Sequence, residues 1–247
     1  NFIFRTREFE QMEMQYFVKP GTDNEAFAQW KDKRLNFYLD NLDINKDKLR
    51  VHEHGSNELA HYAKEAWDIE YEFPFGWSEI EGIHNRTDYD LSRHEEFSGK
   101  NLSYFDQPNN DRYLPYIIET SAGLNRMLLT VLADAYWEDD ENNRTVMRIS
   151  PRLAPVKAVI CPLLKKDGLP EKAREIVEIL KPHFKVLYDQ QGSIGKRYYR
   201  QDEAGTPFGI TVDHQSIEDN SVTLRDRDSM KQDRISIERI LNAIQDS

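Results

Sequence analysis

Two prolines, Pro151 and Pro155, stand where the chain changes character. Up to Ser150 there are 17 basic and 29 acidic side chains; from Pro151 onward there are 16 and 15. The net charge therefore passes from −12 to +1 across Ser150-Pro151-Arg152-Leu153-Ala154-Pro155. Residues preceding proline favour extended backbone, so this stretch reads as a linker. Two domains are expected, 1–150 and 151–247, and a chain of 247 residues accommodates both. With 38% apolar and 31% charged residues it has material for a core, which excludes a disordered chain. No apolar run approaches the roughly 20 residues that span a bilayer. A lone cysteine, Cys161, excludes an internal disulfide and a multi-cysteine zinc site, and a reducing, cytoplasmic setting is the expectation. Asn1-Phe2-Ile3-Phe4-Arg5 starts without Met and reads as a strand already under way, so a fragment is expected.

In the first part, alternation predicts strand from Phe2 to Val18, and Phe27, Trp30, Tyr38 and Leu42 are spaced along one face of a helix over 23–42. Ser56 is a candidate cap for a second helix burying Leu59, Tyr62, Ala63, Ala66 and Trp67. Strands are predicted over 69–75, 77–83 and 113–118, and a buried helix over 123–137. This is an α+β pattern, an antiparallel sheet with helices against it. The second part alternates: strand 157–164, helix 170–181 with Pro170 at its first position, strand 184–188 and helix 195–202. Strands 208–212 and 222–225 and a closing helix over 235–244 complete an α/β unit.

Three segments hold chemistry. On a strand, Arg5, Arg7, Phe9, Gln11 and Glu13 would form one row, since alternate residues share a face. Guanidinium groups suit phosphates, a ring suits a base, and a carboxylate suits an amine; the pattern alone also describes a solvated strand face. Glu119-Thr120-Ser121-Ala122-Gly123-Leu124-Asn125-Arg126 places small residues at a strand-to-helix junction, with Arg126 in the first helical turn. A cation there opposes the helix dipole unless an anion is near, although an ordinary capped helix would look similar. Glu79 and Glu81 would share a strand face and could hold a divalent cation, or simply be solvated. Asp43-Ile44-Asn45-Lys46-Asp47 opens like a calcium loop, but Lys48 stands where Gly is required and His54 where the closing Glu belongs. His52 and His54 could bind a metal, or lie in a solvated loop. In the second part Lys196, Arg197 and Arg200 interleave with Tyr198 and Tyr199, and Arg225 and Arg227 lie at a strand end. Cations among rings suit single-stranded nucleic acid, as they do a solvated helix.

The runs 4–18, 77–90, 119–126 and 196–213, in this order, resemble a class II glycyl-tRNA synthetase of the dimeric bacterial type over nearly the whole chain. The resemblance implies that 1–18 is the second half of motif 2, that 119–132 contains motif 3, and that 151–247 is an anticodon-binding domain. It implies an ATP site formed by Phe4, Arg5, Thr6, Arg7, Glu8, Phe9, Glu79, Ile80, Gly123, Leu124, Asn125 and Arg126. Phe9 would stack on adenine, Arg5 would lie along the phosphates, and Arg5 and Arg126 would be catalytic. Glycine would meet Phe9, Glu10, Gln11, Met12, Glu13, Glu119 and Ser121, the carboxylates taking its ammonium group. Glu79 is the candidate magnesium ligand. Lys196, Arg197, Arg200, Arg225 and Arg227 are the candidate tRNA contacts.

The implied activity is ATP-dependent activation of glycine to glycyl-adenylate, followed by transfer to tRNA, in a cytoplasmic homodimer whose dimer-forming part lies upstream. Motif 1 and the Arg-x-Glu that opens motif 2 are absent from these residues, so the segment alone is expected to be inactive. Two other readings compete: an accessory subunit that has lost catalysis, and a small-molecule ligase that uses no tRNA. Phe9, Glu13, Glu119, Ser121 and Arg126 argue against the first, and the charge balance after Pro151 against the second.

Overall fold

Long strands with one polar and one apolar face build the first part of the chain. In the computed structural model, which describes residues 2–55, 57 and 59–245, the elements begin with β1 (Gln11–Val18), α1 (Asp23–Asn36), β2 (Leu49–Glu53), β3 (Glu65–Phe73) and β4 (Gly76–Thr87). They continue with α2 (Tyr89–Ser98), β5 (Tyr104–Asp106), β6 (Asp111–Tyr113), β7 (Tyr116–Gly123) and α3 (Leu124–Ala135). The sheet is antiparallel with strand order β1-β7-β4-β3-β2, which is the expected α+β architecture. α1 opens with Asp23 and Glu25 and closes with Lys33 and Arg34, charges that complement the helix dipole at both ends. Phe27, Tyr38, Ile69, Tyr71, Ile83 and Ile118 form the core between helices and sheet, with Trp30, Met127 and Val131 packed against it.

Three local expectations are corrected. Residues 3–10 form turns and bends, so the strand begins at Gln11 and the row from Arg5 to Glu13 is broken after its third member. The second helix does not form: 59–64 is irregular, Ala66 and Trp67 lie on β3, and the proposed cap Ser56 falls outside the described residues. Pairing of Trp67 with Ile83 and of Tyr71 with Ser78 outweighs any local helical preference there. α3 is not buried all round, since Leu124 and Leu128 are exposed, Leu128 to 52%. Its apolar surface is wider than the stripe the sheet covers.

The second part comprises β8 (Tyr136–Asp139), β9 (Arg144–Met147), β10 (Ala158–Pro162), α4 (Leu169–Leu180), β11 (Val186–Tyr188) and α5 (Ile194–Ala204). Then come β12 (Phe208–Val212), α6 (His214–Asp219), β13 (Ser221–Asp226), β14 (Gln232–Ser236) and α7 (Ile240–Gln245). The order is β11-β10-β12-β13-β14, parallel through β11, β10 and β12 and antiparallel beyond. Pro170 lies in the first turn of α4, one residue after its start at Leu169. The closing helix starts at Ile240, because Ile235 pairs with Val222 as part of β14. α6 also went unread; Asp213 and Ser216 close its first turn with a reciprocal capping box.

Contacts divide the chain at Asn1–Ala133 and Asp134–Ser247, ahead of the prolines. The hairpin β8–β9 thus belongs to the second unit. The reason is Arg144, which donates to Asp139 at 2.7 Å, to Asp202 at 2.7 Å and to the Arg227 carbonyl at 2.8 Å. Counted this way the second unit has 18 basic and 20 acidic side chains, so the charge reversal that suggested the boundary vanishes. No helix among the described residues is long and apolar enough to cross a membrane.

Candidate active site

The polar face of the first sheet is set by three strands in register. Glu119 on β7 lies between Gln15 on β1 and His84 on β4, and Ser121 lies between Glu13 and Gly82. Alternation puts all six side-chain positions on one face, while Ile83 and Ile118 turn to the helices. Gln11 donates to Ser121 Oγ at 2.6 Å, and Ser121 Oγ donates to Glu13 at 3.4 Å. Glu119 accepts from Gln15 at 3.2 Å and from Arg86 at 3.1 Å. Arg86 is itself held by Asp90 at 2.6 and 2.7 Å. Burial raises the Glu119 carboxyl above its ordinary range; Arg86 opposes this and Glu13 adds to it. Glu13 and Glu119 therefore stand on the same face of the sheet, either side of Ser121.

Beside that face lies a cavity of about 230 Å³ lined by Phe4, Arg5, Thr6, Phe9, Gln11, Glu79, Ile80, Ser121, Gly123, Asn125 and Arg126, among others. Arg126 donates to the Phe4 carbonyl at 3.2 Å and to the Glu79 carbonyl at 3.0 Å, and its guanidinium stands over the Phe4 ring. This pins the turn before β1 to the sheet. A Cβ at Gly123 would meet only the Arg126 side chain, at 3.8 Å, so packing does not demand glycine there. Its missing side chain leaves cavity space. Phe9 is 60% exposed at the rim, so it is not a core ring. Arg7, Glu8, Glu10 and Leu124 do not line the cavity, and Met12, opposite Ala122, faces away from Gln11 and Glu13.

The paired carboxylates at 79 and 81 are separated. A register shift leaves Ile80 without an opposite residue, which turns Glu81 into the core, where Arg34 holds it at 2.5 and 3.0 Å. Glu79 stays at the cavity, 3.4 Å from Arg126. Among the described residues no three His, Cys, Asp or Glu side chains group to hold a metal, and His54 instead meets Asp68 at 2.8 Å.

The five cations proposed to meet tRNA do not form a basic surface. Arg197 is buried on the Pro162 and Gly192 carbonyls, Arg225 on Asp202, and Arg227 on the Ile149 and Gly205 carbonyls. Arg200 pairs with Asp189 at 2.5 Å, leaving Lys196 exposed. Alternating charges in the sequence masked guanidinium groups that are turned inward, onto backbone carbonyls and the buried Asp202 carboxylate. Charge reversal at Arg197 should accordingly destabilise the second unit by about 3–5 kcal/mol, while reversal at half-exposed Arg200 should cost under about 1 kcal/mol. Thermal melts of the two variants check this; equal, small shifts would refute the structural role of Arg197.

Arg86, Gln15, Gly82 and His84 were not assigned to the site from sequence. The available signal was the alternation Gly82-His84-Arg86 within one strand, together with the i,i+4 pair of Arg86 and Asp90.

A family model described as an anticodon binding domain matches residues 157–247. A glycine–tRNA ligase from Treponema denticola is 58% identical over 252 residues, covering 99% of this chain and 56% of that protein. The counterpart from Thermobifida fusca is 55% identical over 250 residues, with 97% and 54% covered. A prolyl-tRNA synthetase from Cryptosporidium parvum, solved with L-proline and AMP, superposes with a TM-score of 0.74 at 19% identity, over 100% of this chain and 51% of that one. That likeness shows a shared class II synthetase fold. The chain spans about half the length of the curated relatives it matches, and over nearly its whole length it is similar in sequence to glycine–tRNA ligases and in fold to a class II synthetase.

Proposed function

We propose that the protein to which these residues belong activates glycine with ATP and transfers it to tRNA. The observation supporting this most directly is the sheet face on which Glu13, Ser121 and Glu119 stand together, beside a cavity edged by Arg5, Phe9 and Arg126. Two carboxylates beside Ser121 and Gly82 suit a small ammonium compound. A glycine held there would present its carboxylate towards the cavity. One of its oxygens attacks the α-phosphorus of ATP, the bond to pyrophosphate breaks, and glycyl-adenylate forms. A hydroxyl of the terminal tRNA ribose then attacks the glycyl carbonyl and AMP leaves.

Neither step needs an enzyme nucleophile; positioning and charge stabilisation suffice. Arg126, already oriented by the Phe4 and Glu79 carbonyls, is preset to meet the nucleotide, and Arg5, with no ion-pair partner among the described residues, is available to the phosphates. Glu79 is the cavity carboxylate that a magnesium ion brought with ATP would meet, the ion neutralising phosphate charge. Selection against larger amino acids is steric, and no smaller one competes. The dimeric state, the cytoplasmic location and the reading of the anticodon by residues 157–247 belong to the same proposal. Full-length protein should form glycyl-tRNA from tRNA, ATP and glycine; no charging under those conditions would refute the reading.

Phe9→Ala should raise the ATP requirement of that protein by about 1–3 kcal/mol, the range of base–aromatic stacking, with folding unchanged because the ring is mostly exposed. Steady-state kinetics with ATP varied, beside a thermal melt, check it. A lower melting temperature with normal ATP dependence would make Phe9 a packing residue.

A further inference from the structure

His84 has no assigned role on the sheet face of Glu13 and Glu119, yet it stands there. It lies directly opposite Glu119 across the β4–β7 pair, with Nδ1 3.9 Å from the Glu119 carboxylate, just beyond hydrogen-bond reach. Nδ1 is buried and has no hydrogen-bond partner. Leaving such an atom unpaired is costly, and native proteins seldom tolerate it without a use. The ring is also held in place. A Cβ at Gly82 would come within 2.8 Å of His84 Cε1, so glycine at 82 is what lets the imidazole lie against the strand. The Tyr62 ring meets it edge-on at 6.2 Å.

We propose that His84 is a positioning residue for Glu119: its Nδ1–H closes onto the carboxylate when that group turns to the substrate ammonium, holding Glu119 ionised and aimed. The inference rests on the glycine-binding reading above. The charged groups around the imidazole are Asp68 on β3, His54 after β2, Arg86 and Glu79 on its own strand, and Glu119 on β7. Burial, helped by Arg86 and His54, keeps the imidazole pKa below its ordinary value against the pull of Asp68 and Glu79. It is thus a neutral donor at physiological pH, able to serve a carboxylate without cancelling its charge. Glu119 meanwhile faces Glu13 and Gln15 on β1, Arg86 on β4 and Asp90 on α2.

The test is glycine-dependent ATP–pyrophosphate exchange by full-length protein from pH 5 to 9. His84→Ala should raise the glycine KM about tenfold at neutral pH and move its acidic limb to higher pH, because Glu119, left with Arg86 and Gln15 as donors, holds its proton longer. The KM for ATP should stay unchanged. His84→Asn, which keeps an N–H donor near the Nδ1 position, should recover most of the loss. A glycine KM and pH limb in His84→Ala identical to wild type would overturn the proposal, as would an equal rise in the ATP KM. Should the alanine variant fail to fold, the asparagine variant decides, since a wild-type pH limb in it supports the donor role and a limb displaced to higher pH opposes it. Absence of glycine-dependent exchange in the wild type would instead fault the function, independently of His84.

Discussion

Asp202→Ala should destabilise the second unit by about 3–5 kcal/mol, the cost of removing one partner from a buried ion pair. Asp202 is 1% exposed and accepts from Arg225 at 2.8 and 2.9 Å and from Arg144 at 2.7 Å. Without it Arg144 retains Asp139, but Arg225 keeps, among the described residues, only the face of the Tyr198 ring. The loss would fall on two elements together, the β8–β9 hairpin through Arg144 and the end of β13 through Arg225. Asp202→Asn keeps acceptor geometry on one side and should cost less. Urea denaturation of both variants measures the difference; an alanine variant within about 0.5 kcal/mol of wild type would show that the network is not a support.

Glu119→Gln should weaken glycine use by about 1.5–3 kcal/mol, the value of a hydrogen bond to a charged group, without weakening the fold. The stability side follows from the raised carboxyl. Because folding lifts its pKa above the ordinary 4.5, the folded chain holds this proton more readily than the unfolded chain. The favourable contribution is therefore present below pH 4.5 and is lost as pH rises through the folded value. At pH 7 the ionised group is a net burden, which glutamine removes. Arg86 remains paired with Asp90 in the variant. A melting temperature no lower than wild type at pH 7, combined with a roughly ten- to hundredfold loss in kcat/KM for glycine, is the expected pair of results. Unchanged glycine kinetics would remove Glu119 from the site.

Much of the fold was legible because period-2 and period-3.6 patterns are local. α3, β10, α4 and β12 were read from such patterns within a few residues, whereas the strand read over 113–118 is β7 displaced, running on to Gly123. The second helix failed because Ala66 and Trp67 were assigned by helical spacing, whereas their neighbours in space lie on β4. The site was half legible. Glu13, Glu119 and Ser121 were named through family resemblance, but Arg86 and His84 join them only through the register of β4 against β7. A bulge decided Glu79 and Glu81 in opposite senses, and no spacing rule reveals a bulge in advance. The basic cluster misled for a related reason: charge counted along a sequence does not say which arginines meet buried carbonyls. Arg197 and Arg227 do so.

The measurement bearing most directly on the central claim is ATP–pyrophosphate exchange by the full-length protein with each of the twenty amino acids in turn. A sheet face that brings Ser121, Gly82, Glu13, Glu119 and His84 together, if it receives the amino acid as proposed, predicts exchange with glycine alone. Exchange driven by another amino acid, or by none while the protein is folded, would contradict it.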